Sequence, residues 1–429
     1  MSLEACEMRP AAGGFAGAPW RSAVAVLVLV AVSACTTVLT RNPVPQEEIN
    51  SAAPHGIRLE NVRIRGWGDH LEFSKAQKDA AIAGFAARLR ATRAEEIASG
   101  EPLVENLLAL SGGGPDGAYG AGYLNGWTAR GDRPEFDFVT GISTGSIVGV
   151  FAFLGPDYDD KLKEVYTTYT TDQLFTPTIF AGLTGGTALT DSRGYRRLIE
   201  RYIDDEVVAR LGQAFREGRN LFIGTTNIDA ARPVIWSMGA IAASGHPMAR
   251  TLIQDIIQAS SAIPAAFPPV LIPVETEDGK VYDEMHVDGG ATQQVMLFSA
   301  NLPLKSIDEA LGHPVDRTLY IIMNNKLVKP YEPVRPRLIS IAGTAASSLI
   351  GGSGSGDIYR IFTLSQRDDM ALNLIWIPED FSVVAEEAFD PVYMKALYDL
   401  GYQHGLAGDR WIGVPPGYVG WPEEVVPTN

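Results

Sequence analysis

The chain has 429 residues, with 51 Asp and Glu against 35 Lys and Arg, for a formal net charge of −16 at pH 7. At 46% hydrophobic and 20% charged it is neither disordered, collagen-like nor low-complexity, and it is long enough for one large domain or two ordinary ones. The acidic balance argues against a nucleic-acid partner and against electrostatic docking on anionic lipid, and two cysteines argue against a disulfide framework.

In chain order, the first feature is the run AVAVLVLVAV at residues 23–32, preceded by Arg21. It is too short to cross a bilayer and has the size of a signal-peptide h-region. Val32-Ser33-Ala34-Cys35 follows at once and resembles the lipobox of bacterial lipoproteins. That resemblance implies cleavage before Cys35 and acylation of Cys35, so that 1–34 are a signal peptide and Cys35 is the lipid attachment. A plain secretory signal or a short membrane anchor is the alternative. Cys6 would leave with the signal, and Met8 is a second possible start. Thr36 after the cysteine, by resemblance to Gram-negative sorting, leans toward the outer membrane. Several acyl chains anchor firmly where one is marginal. The expected location is therefore the bacterial cell envelope, on the periplasmic side or the surface.

Residues 36–56, with Pro43, Pro45 and Pro54, read as a tether. Ser74 and Gln77 form a Ser-x-x-Gln capping box that opens a helix to about residue 99, read as a packing helix outside the core. The predicted units are thus 35–103 as tether and helical extension, 104–307 as core and 308–429 as a C-terminal α/β extension packed on that core.

The core alternates. Leu107-Leu108-Ala109-Leu110 has the continuous apolar character of a buried parallel strand. Further strands are predicted at 136–140, 221–225, 234–238, 281–287, 318–323 and 372–377, and a helix at 251–258. Asp390-Pro391 starts a last helix, with Asp as N-cap and Pro in the first turn. Strands interleaved with helices predict an α/β layered fold with a central, largely parallel sheet. Gly351 to Gly356 (GGSGSG) reads as a flexible loop. It lacks the Gly-Lys-Ser/Thr of a phosphate-binding loop.

Three short stretches carry chemistry. Ser111-Gly112-Gly113-Gly114-Pro115-Asp116-Gly117 lies between a strand and a helix, and successive glycines expose backbone N–H groups as an oxyanion needs. Gly141-Ile142-Ser143-Thr144-Gly145 matches Gly-x-Ser-x-Gly, again between strand and helix. The serine of such an elbow is strained, its neighbours Gly141 and Gly145 must be small, and the following helix dipole favours negative charge. Asp288-Gly289-Gly290 ends a strand; alone it is more often a simple turn.

Together and in this order the three resemble the patatin-like phospholipase family, whose signature is a glycine-rich loop, Gly-x-Ser-x-Gly and Asp-Gly-Gly/Ala. Gly224-Thr225-Thr226-Asn227, the stretch Ala259-Ser260-Ser261-Ala262-Ile263-Pro264 and Phe267-Pro268-Pro269 are similar to that family as well. The resemblance covers roughly residues 105–300. It implies a three-layer α/β/α patatin-like fold, Ser143 as nucleophile, Asp288 as proton acceptor in a dyad without histidine, and Gly112, Gly113 and Gly114 as oxyanion donors. It implies no metal or organic cofactor, and a lipid or phospholipid acyl ester as substrate. One departure is Asp116, where the family usually has Arg or Lys; this puts the ion pairing of the loop in question.

The residue types suit the chemistry. A serine hydroxyl needs a base, and a carboxylate serves if burial raises its pKa. Acyl transfer to Ser143 and hydrolysis by water would follow. A histidine base remains an alternative, with His286, His313 and His404 as candidates. At the level of the whole chain, a catalytically silent envelope interaction module and an esterase or thioesterase on soluble substrates are the competing readings.

Overall fold

The computed structural model describes residues 40–57, 62–64, 74–178, 186–328, 331 and 333–418. The signal segment and Cys35 lie outside the described residues. The chain is a mixed α/β protein whose central, largely parallel sheet is flanked by helices.

Eight strands make up most of the sheet: β1 (Leu103–Leu110), β2 (Phe138–Ile142), β3 (Asn220–Asn227), β4 (Arg232–Ser237), β5 (Val270–Glu275), β6 (Val281–Asp288), β7 (Val315–Met323) and β8 (Ala371–Trp376). Five of them run parallel in the order β3-β2-β1-β7-β8. The sheet forks at β3: its first half pairs with β2, its second half with antiparallel β6, and its other edge carries β4.

β1 shows why the centre forms. Side chains alternate across a strand, so its apolar run feeds both faces. Leu108 and Leu110 enter a core with Tyr123, Val148, Ile223 and Leu397, whereas Leu107 and Ala109 enter a second core with Leu304, Leu319, Ile358 and Ile361. The first core is covered by α2 (Gly117–Arg130), α3 (Thr144–Leu154), α4 (Ala249–Ser260) and α7 (Pro391–Ala407). The second is covered by α1 (Lys75–Thr92), α5 (Leu304–Leu311) and α6 (Leu338–Arg367).

Local signals set the helix starts. Ser74 and Gln77 close the capping box of α1, and Asp390 accepts from the backbone of Val392 and Tyr393 at the start of α7. The helical stretch after Ser74 breaks at Arg93 and resumes as Ala94–Ser99, so the single helix expected there is two.

Two expectations are corrected. Residues 351–356 are not a loop but the middle of α6, a thirty-residue helix. Glycine costs a helix about 1 kcal/mol per residue. Tertiary packing overrides that here, because Ile358, Ile361 and Phe362 bury the following turns and Gly354 sits against Gln294 and Met323. Residues 41–57 are not a free tether. Arg41 pairs with Asp229, Ala53–Pro54 adds an edge strand to β5, and the His55 N–H donates to the Pro273 carbonyl. Extended, proline-containing backbone suits an edge position as well as it suits a tether.

Candidate active site

The C-terminal end of a parallel sheet gathers the loops that leave it. β1 runs into the glycine-rich loop, β2 into Ser143, and β7 into Asn324 and Asn325. β6, antiparallel to β3, delivers Asp288 to the same place.

Ser143 sits between β2 and α3 with φ 53° and ψ −123°, a left-handed conformation that a non-glycine residue adopts only under constraint. The constraint is close packing. A methyl group on Gly145 would stand 2.6 Å from the Leu110 carbonyl oxygen, and one on Gly141 would collide with the Gly145 carbonyl. Strand and helix therefore approach too closely for any side chain at either glycine. The Ser143 N–H donates to the Ser260 hydroxyl at 2.9 Å, which in turn donates to the Gly224 carbonyl at 2.7 Å.

Asp288 is 5% exposed, and the Ser143 hydroxyl is near enough to act on its carboxyl. Its Oδ1 accepts from the Gly290 N–H at 2.7 Å, and its own N–H donates to the Ala262 carbonyl at 2.9 Å. Burial pushes the carboxyl up to about 7, although the Gly290 N–H and the Ser143 hydroxyl both pull it down. Desolvation outweighs both because no cation among the described residues faces the group. The stretch 259–264 thus brackets the pair, Ser260 holding one residue and Ala262 the other.

The glycine-rich loop is fastened from β7. The Asn324 N–H donates to the Ser111 hydroxyl, its side-chain amide to the Ser111 carbonyl, and its Oδ1 accepts from the Gly120 N–H. Asn325 donates to the Gly112 carbonyl at 3.2 Å. Gly113 lies so close to the Asn324 carbonyl that no side chain fits there. The three loop N–H groups are not equivalent. That of Gly112 donates to the Gln294 carbonyl at 3.0 Å, which removes Gly112 from the expected set of donors. Those of Gly113 and Gly114 have no acceptor among the described residues. Asp116, at the position where a basic residue was expected, accepts from the Tyr393 hydroxyl of α7 at 2.6 Å, so a neutral phenol fixes this end of the loop.

Gln294 escaped the sequence reading. A methyl group on Gly112 would meet its Oε1 at 3.1 Å and the Ser143 Cβ at 3.2 Å; one on Gly290 would meet its Nε2 at 2.6 Å and the Asp288 Oδ1 at 3.0 Å. Its amide therefore lies between the glycine-rich loop and the Asp288 turn. Its backbone is held on two sides, the carbonyl by Gly112 and the N–H by the buried Asp357 carboxylate of α6 at 2.7 Å. The only signal in the sequence is a pair of glutamines shortly after Asp288-Gly289-Gly290.

The histidines are engaged elsewhere. His286 is buried, with Nδ1 on the Thr225 hydroxyl and Nε2 on Glu284. Burial lowers its pKa despite Glu284, and Arg63 holds Glu284 ionised, at about 2, against its own burial. His404 Nδ1 meets the Tyr119 hydroxyl, and His313 contacts the Glu101 carbonyl at the opposite end of β1. None of the described histidines hydrogen-bonds to Ser143 or Asp288.

The model of the patatin-like phospholipase family matches residues 108–308, the stretch that contains the glycine-rich loop, Ser143, Asp288 and Gln294. That stretch is a patatin-like phospholipase domain, and the chain is accordingly an ester hydrolase. Among solved structures, VipD from Legionella pneumophila is similar at 13% identity and a TM-score of 0.35, over 72% of this chain and 67% of that one. No curated protein matches the sequence.

Proposed function

We propose that this chain, built around a patatin-like phospholipase domain, is a membrane-anchored serine acyl hydrolase that cleaves fatty-acyl esters of lipids or phospholipids. The observation that carries the reading is the strained Ser143 at the strand-to-helix elbow beside Asp288, a buried aspartate whose carboxyl is pushed up to about 7. A base with that pKa accepts a proton near neutral pH and still returns it to a leaving alcohol.

Asp288 takes the Ser143 proton as the oxygen attacks the ester carbonyl. The tetrahedral oxyanion forms beside the N–H groups of Gly113 and Gly114 and at the N-terminal end of α3. Collapse breaks the ester C–O bond, Asp288 protonates the leaving alcohol, and acyl-Ser143 remains. Water, deprotonated by Asp288, then releases the fatty acid and restores the serine. Cys35, acylated after signal cleavage, would hold the site beside a bilayer of the bacterial envelope.

A fluorophosphonate probe tests the nucleophile, with a tagged adduct on Ser143 as the expected result and none in Ser143→Ala. Asp288→Ala is expected to lose at least a thousandfold in kcat, whereas His286→Ala and His404→Ala should retain their chemistry if folded. Near-full activity in Asp288→Ala would remove the dyad. Hydrolysis of short-chain nitrophenyl esters without hydrolysis of vesicle phospholipid would move the chain to the soluble-substrate esterases.

A further inference from the structure

We infer that the N-terminal half of α6 is a lipid-docking surface that seats the active-site mouth on a bilayer; this rests on the lipid hydrolase reading and adds to it the part of the molecule that meets the aggregate.

From Leu338 to Gly356 the sequence has no charged residue. At about 1.5 Å per residue this is about 28 Å of helix. Its outward stripe runs through Ile341, Ala345, Ser348, Leu349, Gly352 and Gly356, all exposed. Ile341 is 53% and Leu349 77% exposed. A helix that faces water ordinarily puts charge on that face. Helix α1 does so, with Lys75 and Asp79 exposed in its first turns. In a chain that carries a charge at one position in five, an uncharged outer face of this length marks a surface meant for a partner other than water.

Its place in the fold identifies the partner. Gly354 packs on Gln294, and the Asp357 carboxylate accepts from the Gln294 N–H, so the C-terminal end of this stripe lies over the residue between the glycine-rich loop and the Asp288 turn. The segment leading into α6 leaves β7 at Asn325, which holds the Gly112 carbonyl, and among its charged residues it exposes large apolar side chains: Val328 is 68% and Tyr331 91% exposed. Lys326 binds the Phe381 carbonyl and so draws alongside it the loop carrying Val384, 80% exposed. The leading segment and α6 are thus both tied to the end of the sheet that carries Ser143, one through Asn325 and the other through Gly354 and Asp357. Arg335 and Arg337 close the helix start; both are exposed and neither forms an ion pair among the described residues. A tyrosine and two arginines at the edge of an apolar helix match the headgroup and phosphate levels of a lipid interface. Among the described residues no helix is long and apolar enough to cross a membrane, so the helix would lie in the interface. For a chain of net charge −16, contact through an uncharged face also avoids repulsion by an anionic surface.

The test uses the full chain carrying Cys35→Ser, so that no acyl anchor holds it at the bilayer. Leu349→Trp placed in that chain is expected to be quenched by brominated phosphatidylcholine vesicles at least twofold more than the parent chain. Equal quenching would overturn the proposal, as would a concentration-dependent dimer that shields the introduced indole without quenching by lipid, which would assign the face to a second copy. Ile341→Asp with Leu349→Asp is expected to lower the ratio of vesicle-phospholipid to short-chain-ester hydrolysis at least tenfold; an unchanged ratio would also overturn it. Failure of the parent chain to hydrolyse vesicle lipid would count against the lipid substrate alone, since quenching needs no turnover.

Discussion

Two helices of the C-terminal segment are rich in glycine for opposite reasons. In α7, Gly401 and Gly405 face Gly122 and Gly126 of α2. A methyl group at any of the four would overlap a backbone carbonyl or amide of the other helix. The four-residue spacing on both helices puts each pair on one face, so the two backbones pack nearly in contact. In α6, Gly352 and Gly356 have nothing within 4 Å of where a side chain would begin. The α7 glycines are required by a neighbour, whereas those of α6 keep an exposed surface smooth and uncharged. Gly354 differs from these two, packed against Gln294. Glycine in a helix is thus informative only once its surroundings are known.

The largest loss of stability is expected at the closed interface. Gly401→Ala places its methyl group on the Tyr119 carbonyl, and the helices must separate to admit it. Overpacking of this kind costs about 1–3 kcal/mol, and more when the obstacle is backbone. Urea denaturation should show a loss of at least about 3 kcal/mol. A loss below about 1 kcal/mol would show that the contact between α2 and α7 yields, and the contrast with α6 would weaken.

Tight packing of the core lets the site keep groups that are unfavourable by themselves. Asp288 has its carboxyl raised from 3.8 to about 7 by burial. Its penalty is absent below its ordinary pKa, grows as pH rises through the window between the two values, and is full above 7. Asp288→Asn should therefore be more stable than the parent at pH 8, by up to about 4 kcal/mol, and nearly equal to it near pH 4. In the active parent, kcat/KM for a soluble ester should fall about tenfold per pH unit below 7, because the base is then protonated. A pH-independent difference in stability would show that Asp288 is not buried in the way its surroundings require. Ser143 carries the second strain. Ser143→Gly should be about 1–3 kcal/mol more stable than Ser143→Ala, since only glycine adopts φ 53° freely.

Both helices reach the site, which sharpens the comparison between them. α7 holds Asp116 through Tyr393, and α6 holds Gln294 through Asp357. Tyr393→Phe removes one neutral donor at the edge of the loop. Asp357→Asn replaces a charged acceptor facing two buried N–H groups, those of Gln294 and Val295. The second should lower kcat for a soluble ester about tenfold and the first about threefold, following the greater strength of charge-assisted hydrogen bonds. The reverse order would make α7 the helix that sets the geometry of the site.

Much of this was legible in the sequence where the information is local. The run at 107–110, the capping box at Ser74, the Asp390-Pro391 start and the three loop motifs each depend on a few consecutive residues. Asn324, Asn325, Gln294 and Asp357 were illegible for a different reason. They matter only because β7 lies beside β1 and α6 crosses above Gln294, neighbours separated by many residues in the chain. Gly112 was misjudged as a donor because its N–H is taken by Gln294, a partner that no local pattern announces. The loop assigned to Gly351 to Gly356 followed propensity, which burial of Ile358, Ile361 and Phe362 overrides.

The smallest effect belongs to the open glycines, and it separates the two helices most cleanly. Gly352→Ala and Gly356→Ala add a methyl group into empty space at helical positions with no left-handed backbone. Each should stabilise the chain by about 0.5–1 kcal/mol, mostly by restricting the unfolded state. The same substitution that disrupts α7 would then strengthen α6. If instead both alanines destabilise by more than about 1 kcal/mol, the face is closed in solution by something the free chain supplies. A concentration-dependent midpoint in the same denaturation experiment would identify that as a second copy.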